Sequence, residues 1–532
     1  MNFNKKLVVA VSGAVFLMAG QVASADSATD IVDALVMKGV LTEEEGRLIT
    51  KGHTSKTSVT PVVKEKDGAF TLESANGRSS IQLTGRMHLD YRHNNLDIYD
   101  TVDNDRDTAS VADQFELRRA RLGVKGKFAK DFKYEIVGNL PGTATVDVAF
   151  LDYAKFPGMQ LRMGKFKQPF NMEELTSSNN IDFMERSFVN QIAPAKKIGA
   201  MVFGEPKDGF TYAGSVFQMN DNELDSNGDK GNFAGRTTVN FAQLMGNKDA
   251  VYHLGLSGFD SEYNVQPTSS GARASTDTRA NILAFRTPGR GLSSIFRAQI
   301  GGQALGASET GANSNRTAQI QSHAIGLEGA FAYKNLKLQG EFANAQYNAN
   351  TMNNGDSMKM DARVAYAEIL WLATGEKYSD SYKGGTWGAI KPLNDFDLDT
   401  QKWGTWEFGL RAEQYTVDDL VASSGTAPNT TMNFKSRVQG SSTCSTSADS
   451  PGWGATTADT MNGCKSKATT YTAGIKWILN PNALVKLNYS RTKFGNEWEY
   501  YDIADSATGG AALDNKKLKH EDLLMMRTQF TF

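Results

Sequence analysis

The chain ends with a stretch in which apolar and polar residues alternate, LMMRTQFTF at residues 524–532. Counting back from Phe532, alternate positions are mainly apolar, whereas Arg527 and Gln529 belong to the other set, with Met525 as its one apolar member. Successive side chains of a β-strand point to opposite faces, so this stretch predicts a strand with one apolar and one polar face. The period of two therefore indicates a β protein.

The same period recurs along the chain, most clearly over residues 81–92. One predicted face holds Ile81, Leu83, Gly85, Met87, Leu89 and Tyr91. The opposite face holds Gln82, Thr84, Arg86, His88, Asp90 and Arg92. Similar alternation occurs over 406–413, 470–477 and 485–490. Alternation alone leaves two fold classes open, a soluble sandwich with its polar face outside and a membrane barrel with its polar face inside.

Other features favour the barrel. The chain ends on an aromatic residue, Trp371 and Trp477 lie near predicted strand ends, and strands of about ten residues match a tilted membrane crossing. Short turns predicted at 129–131 and 480–482 alternate with long Asn-, Gly- and Ser-rich segments. The sequence therefore predicts an all-β, transmembrane antiparallel β-barrel with strands in the mid-teens and a water-filled lumen.

The N-terminal residues have a different organisation. Lys5 and Lys6 precede an apolar stretch at 7–20 and an A-x-A site at 23–25, which predicts a signal peptide over 1–25. Removing those two lysines changes the formal charge from −2 to −4, which disfavours a nucleic-acid partner. Helical spacing and a capping box from Thr42 to Glu45 predict a short periplasmic helical segment over 26–56. A linker over 57–79 and a barrel domain over 80–532 follow.

The sequence offers no catalytic constellation. The six histidines form no H-E-x-x-H or comparable metal spacing, and neither a G-x-S-x-G elbow nor a phosphate-binding P-loop occurs. We therefore expect no catalytic residue, metal site or cofactor. Cys444 and Cys464 lie in one polar segment of an exported chain, where an oxidising environment favours a disulfide between them.

An ordered set of motifs resembles a known family, the phosphate-selective porins O and P of Gram-negative outer membranes. The motifs are ELRRAR at 116–121, DFKY at 131–134, LRMGKFKQPF at 161–170, ELTSS at 174–178 and MER at 184–186. The resemblance implies a barrel of 16 strands in outer-membrane lipid, a homotrimer, and a third loop folded inward from about Lys167 to Lys197. It also implies passive diffusion of small inorganic anions such as phosphate.

The resemblance further implies which residues line the anion pathway. Basic pathway positions of the family correspond to Arg86, Arg118, Arg119, Lys133, Arg162, Arg186 and Lys391. Asp152 corresponds to a pathway acid, and Glu174 stands where phosphate-specific members have a lysine. In a narrow constriction, replacing a basic side chain by an acidic one reverses the sign of its interaction with the passing ion, which amounts to a few kcal/mol. Glu174 therefore has two possible roles, one in ion selectivity and one in structural pairing with a cation.

Two alternative functions stay open at this point. A weakly selective or cation-preferring porin is suggested by the net charge and by the four carboxylates of the inward loop, Glu173, Glu174, Asp182 and Glu185. A surface enzyme or adhesin on the same barrel is the alternative from another class.

One strand residue departs from the alternation. Ala120 and Leu122 lie on the apolar face, which places Arg119 and Arg121 inside the barrel. Arg118 is then out of phase, which predicts a bulge or a rim position at that residue.

Overall fold

The computed structural model describes the chain in segments that together form two compact units. The described residues are 26–57, 60–66, 68–100, 106–107, 113–219, 231–265, 280–289, 295–300, 318–351, 357–423, 433–435, 460–499 and 516–532. The smaller unit contains the described residues up to Leu83 together with 125–131, and the larger unit contains 84–124 and the described residues from Phe132 onward.

The smaller unit combines two helices with short strands. Helix α1 spans Asp26–Met37 and helix α2 spans Glu43–Thr57. The Thr42 amide donates to the Glu45 carboxylate at 2.9 Å and the Glu45 amide donates to the Thr42 hydroxyl at 3.2 Å, which is the predicted capping box. The stretch expected to be a linker contains two antiparallel strands, Val62–Lys66 and Ala69–Glu73, the second of which pairs with residues 80–82.

Long strands follow one another around one sheet, and their residues belong to the larger unit except for 80–83 and 125–128. We number them β1 Ser80–Asp100, β2 Gln114–Phe128, β3 Phe132–Asn139, β4 Thr145–Phe156, β5 Met159–Lys167, β6 Lys196–Lys207, β7 Phe210–Phe217 and β8 Asn232–Asn240. The sheet continues through β9 Ala250–Val265, β10 Ala318–Tyr333, β11 Leu336–Thr351, β12 Ser357–Leu372, β13 Thr405–Ser423, β14 Thr460–Asn480, β15 Ala483–Glu499 and β16 Lys516–Thr531.

These strands form a closed antiparallel barrel of 16 strands. Each strand pairs with its neighbour along the chain, and β16 returns to β1, where Phe530 lies opposite Met87 and Thr531 lies opposite Arg86. The closing edge includes the terminal residue, since the Gly85 amide donates to the Phe532 carbonyl at 3.0 Å. Closure leaves no free edge between the first and last strands.

The wall has the alternation that the sequence predicts. Met87, Leu89, Leu524 and Phe530 are exposed on the outer face, which is the apolar face of a membrane barrel. The alternate residues point inward and are buried, including His88, Asp90, Arg527 and Gln529. Met525 also points inward, where it packs against Met184 of a loop inside the barrel. The one apolar residue on the polar face thus has an internal partner.

Tight turns join the strands at one end of the barrel, and longer connections join them at the other. The predicted turn at 129–131 is confirmed by positive φ at both Ala129 and Lys130. Several of the described connections contribute residues to the lumen, including the one between β9 and β10, which supplies Phe285. Residues 168–195, between β5 and β6, form the inward loop, and residues 373–404, between β12 and β13 at the tight-turn end, form a second piece that we call the turn-end insert.

Short elements complete the larger unit. These are α3 Met172–Leu175, α4 Phe241–Leu244, the 3₁₀ helices Phe188–Gln191 and Tyr378–Ser381, and the strands Arg106–Asp107, Ala280–Phe285, Phe296–Ile300, Tyr382–Lys383, Thr386–Trp387 and Asn433–Lys435. The insert is held inside by Trp387, whose indole donates to the Gln339 side chain at 2.5 Å, and by Tyr378, whose hydroxyl donates to Glu407 at 3.0 Å.

One half of the barrel interior is an apolar core. Phe188 of the inward loop and Phe285 pack on Tyr415 of β13, with ring centroids 5.2 and 4.2 Å from the tyrosine ring. Tyr347 and Val364 of β11 and β12 extend this cluster. In this part of the barrel the apolar residues of β11 and β12 point inward, and polar residues such as Asn344 and Lys359 point outward. This reverses the assignment of faces that the period-two pattern gives for the rest of the wall. Among the described helices, none is long and apolar enough to cross a bilayer.

Candidate functional site

The inward loop is fixed to the wall by buried ion pairs. Arg527 of β16 donates to both carboxylate oxygens of Asp90, at 2.6 and 2.7 Å, and to the Met184 carbonyl at 2.6 Å. Its guanidinium also lies 3.3 Å from Glu185, whose carboxylate receives Arg92 at 2.9 Å as well. Several basic residues that the sequence places on the inner face thus bind the inward loop and do not line a water-filled part of the lumen.

Further wall residues hold the middle of the loop. Arg411 lies between Glu173 and Glu413, each 3.3 Å away. Lys337 binds the Asp182 carboxylate at 2.7 Å, and Lys476 lies 3.4 Å from it. Burial on its own would raise the pKa of Asp182, but the two lysines outweigh burial and lower the pKa. Burial dominates at Glu173, where it raises the pKa despite Arg411.

Acid is expected to loosen this attachment through Glu185. Burial favours the neutral carboxyl, but Arg118 and Arg527 outweigh burial and hold the pKa of Glu185 well below its usual range. Because the pKa is depressed in the folded state, the stabilisation is complete above the ordinary carboxyl pKa of about 4.3 and is lost as pH falls below it. We expect the protection of the amides of residues 181–187 against hydrogen exchange, measured relative to the intrinsic exchange rate at each pH, to fall as the pH is lowered below about 4. In the Glu185→Gln variant the fall should be smaller, and an equal fall in both proteins would contradict this assignment.

Because the loop packs to one side, it leaves an off-centre cavity of about 1010 Å³ along β1 to β8. The cavity reaches from Asn139 and Thr145, beside the long connections, to Glu205 and Thr211, beside the tight turns. Ten basic side chains line it against four carboxylates. The basic residues are Arg86, Arg119, Arg121, Arg162, Lys165, Lys167, Arg186, Lys196, Lys197 and Arg236, and the acidic ones are Glu135, Asp147, Glu174 and Glu205.

Several of these cations have a carboxylate partner. Arg121 lies 2.7 Å from Asp147, which Lys196 also contacts. Arg186 lies 3.7 Å from the Glu174 carboxylate, and its guanidinium donates to the main-chain carbonyls of Glu173 and Thr176 at 2.9 and 2.7 Å. Glu174, at the position where the resemblance expects a lysine, is therefore buried and paired with a cation.

Arg119 differs from these paired residues. Its side chain is buried, its Nε has no hydrogen-bond partner, and its Nη1 lies 3.4 Å from the His88 imidazole. Among the described residues, no carboxylate forms an ion pair with it. Arg119 lines both the large cavity and an adjoining one of about 200 Å³. A buried guanidinium without a carboxylate favours an anion between the two cavities.

Of the other predicted pathway residues, two bind the inward loop and two lie away from the cavity. Arg86 faces the cavity and donates to Ser178 of the inward loop at 2.9 Å, and Arg118 binds Glu185 at 3.0 Å. Arg118 and Arg119 are consecutive, and both reach groups inside the barrel. The bulge or rim position at Arg118 stays a prediction. Lys133 and Lys391 are exposed and do not line the cavity as the structure describes it. Lys133 lies opposite Asp152 in the β3–β4 ladder.

Some cavity residues escape prediction from the sequence. Asp147 enters the cavity because the β3–β4 register shifts between Val137 and Gly138, so the extra residue on β4 breaks the alternation. A bulge of this kind has no clear sequence signal. Lys196 and Arg236 also line the cavity. Cys444 lies outside the described residues, as does the side chain of Cys464, so the disulfide stays a prediction.

Comparison with known proteins identifies the family. The profile of the phosphate-selective porin O and P family matches residues 81–532. The chain belongs to this family. Porin O of Pseudomonas aeruginosa is 26% identical over 388 residues, which cover 69% of this chain and 79% of the relative.

Two solved structures share less sequence with the chain. The outer-membrane protein OmpT of Vibrio cholerae matches 88% of this chain and 100% of its own at 10% identity, with a TM-score of 0.42. The anion-selective porin from Comamonas acidovorans matches 85% of this chain and 100% of its own at 10% identity, with a TM-score of 0.41.

Family membership establishes the class of protein and its compartment. The chain is an outer-membrane porin of Gram-negative bacteria, a channel and not an enzyme. By the rule for such barrels, tight turns face the periplasm and longer connections face the outside. The turn-end insert then enters the lumen from the periplasmic side.

Proposed function

We propose that this porin passes small anions, including phosphate, by passive diffusion through the off-centre cavity. The observation that carries the proposal is the excess of cations on the cavity wall, with Arg119 buried and unmatched between the two cavities. A charge about 4 Å from an ion interacts with it by roughly 4 kcal/mol at an effective dielectric near 20. Such a site attracts anions and repels cations, and an adjoining open cavity lets the anion leave again.

The four carboxylates of the inward loop, which suggested a cation-preferring channel, each lie beside a basic side chain that balances their charge. Glu173 pairs with Arg411, Asp182 with Lys337, and Glu185 with Arg118, while Glu174 lies beside Arg186. Compensated pairs contribute little net field at a distance. This pairing supports the anion-conducting function over the cation-preferring alternative, and reversal potentials across a planar bilayer separate the two directly.

Replacing Arg119 by glutamine should weaken anion binding in the pore. We expect the phosphate concentration that halves the chloride current to rise about tenfold, which corresponds to about 1.4 kcal/mol. Arg363→Gln is the matched control, because Arg363 is exposed and paired with Asp418 on a distant part of the wall. An unchanged phosphate block in Arg119→Gln would remove Arg119 from the pathway.

Three features of the sequence stay predictions for the intact protein. They are the homotrimer implied by the family, the cleaved signal peptide over 1–25, and the disulfide between Cys444 and Cys464. The mass of the purified protein in detergent tests the first, its N-terminal sequence tests the second, and labelling of free thiols without reduction tests the third.

A further inference from the structure

The cavity wall carries an apolar stripe beside its cations. Val137 and Val148 lie opposite each other in the β3–β4 ladder, and Met201 lies opposite Arg162 in the β5–β6 ladder. The apolar side chains that form the stripe are Val137, Val148, Phe150, Phe166, Met201 and Phe203. A wall that passed only small, strongly hydrated ions would replace their water with polar groups. The stripe offers no such groups.

The cation that packs on the aromatic rings of the stripe, Arg162, is neutralised by a carboxylate. The Arg162 guanidinium lies 3.8 Å from the ring centre of Phe150 and 5.1 Å from that of Phe203. Its Nε and Nη2 donate to the two Asp152 carboxylate oxygens at 2.7 and 2.8 Å. This arrangement holds both rings in place and contributes no net charge, so the stripe is an uncharged, preorganised surface beside a strongly cationic one.

We propose that the cavity takes organic anions with a flat apolar body, namely aromatic carboxylates, as well as inorganic ones. The ring lies on the stripe and the carboxylate faces Arg119 and the cations around it. A volume of about 1010 Å³ lies at the upper end of the range typical of sites for small organic molecules, which combine apolar walls with a few charged groups. The proposal rests on the anion-conducting function and specifies its substrate class.

The direct test compares benzoate with acetate as blockers of chloride current through the purified porin in a planar bilayer. The two anions share one carboxylate and differ in the ring, so the comparison isolates the stripe. We expect benzoate to halve the current at about one-tenth of the acetate concentration. Equal blocking concentrations, with anion preference retained in the reversal potential, would overturn this inference alone. Loss of anion preference would instead overturn the proposed function.

Variants of the stripe locate the effect. Val148→Thr keeps the side-chain shape and adds a hydroxyl, and Met201→Gln keeps the length and adds an amide. Each should raise the half-blocking concentration of benzoate about threefold to fivefold and leave that of acetate unchanged. Val202→Thr is the control for the first variant, since Val202 lies on the outer face of the same wall and should affect neither anion. If both stripe variants retain the wild-type difference between the two anions, the ring does not lie on this surface.

Discussion

The Arg527→Met variant should lose about 3 kcal/mol of unfolding free energy and should conduct more current than the wild type. Arg527 and Asp90 are both fully buried, and removing one partner of such a pair leaves an uncompensated charge, which costs roughly 3–5 kcal/mol. We expect the lower end of this range because Arg92 still lies 2.9 Å from Asp90. The Met184 carbonyl also loses its donor, so the inward loop is released and the constriction widens.

A matched arginine separates this effect from the loss of any positive charge. Arg491 of the neighbouring strand is about half exposed and lies 3.5 Å from Asp522, so Arg491→Met should cost at most about 1 kcal/mol. Urea unfolding in lipid vesicles gives both free energies, and single-channel recordings give the conductance. If the two variants unfold at the same urea concentration, the buried pair does not anchor the loop.

The wall of the barrel could be predicted from the sequence because its signal is local. Alternation over 81–92 and 524–532 identifies which side chains face lipid, and the structure confirms it with Met87 and Phe530 outside and Asp90 and Arg527 inside. The turn at 129–131 is local as well, since two consecutive residues with positive φ close it. Sixteen strands and an inward third loop came from the family resemblance, and the structure contains both.

The roles of the inner charges could not be predicted, because they depend on partners far away in sequence. Arg527 meets the carbonyl of a residue 343 positions earlier, and Arg411 meets Glu173 across 238 positions. Alternation shows that such residues point inward but not whether they meet water or another part of the chain. The same limit applies to the turn-end insert, whose buried Trp387 donates to Gln339 of β11, 48 positions earlier in the chain.

A valine in place of Gly474 should displace the inward loop from the wall. Gly474 of β14 and Gly409 of β13 lie opposite each other and form a shallow socket for the ring of Phe183. A Cβ at position 474 would lie 2.9 Å from two ring carbons of Phe183, which is closer than van der Waals contact allows. The ring is buried under Arg411, so it has little room to move. Overpacking of this kind typically costs about 1–3 kcal/mol.

Displacement of the inward loop, and not damage to strand β14, should account for the unfolding free energy that Gly474→Val loses. Gly214→Val is the control, because a Cβ at that position in β7 meets no atom within 4 Å and still introduces a branched residue into a barrel strand. It should leave both unfolding and conductance near wild-type values. In a double-mutant cycle with Phe183→Ala, the double variant should lose clearly less unfolding free energy than the sum of the two single losses, because the clash is absent once the ring is removed. If the two losses are simply additive, the glycine is required by the β14 backbone and the socket does not position the constriction.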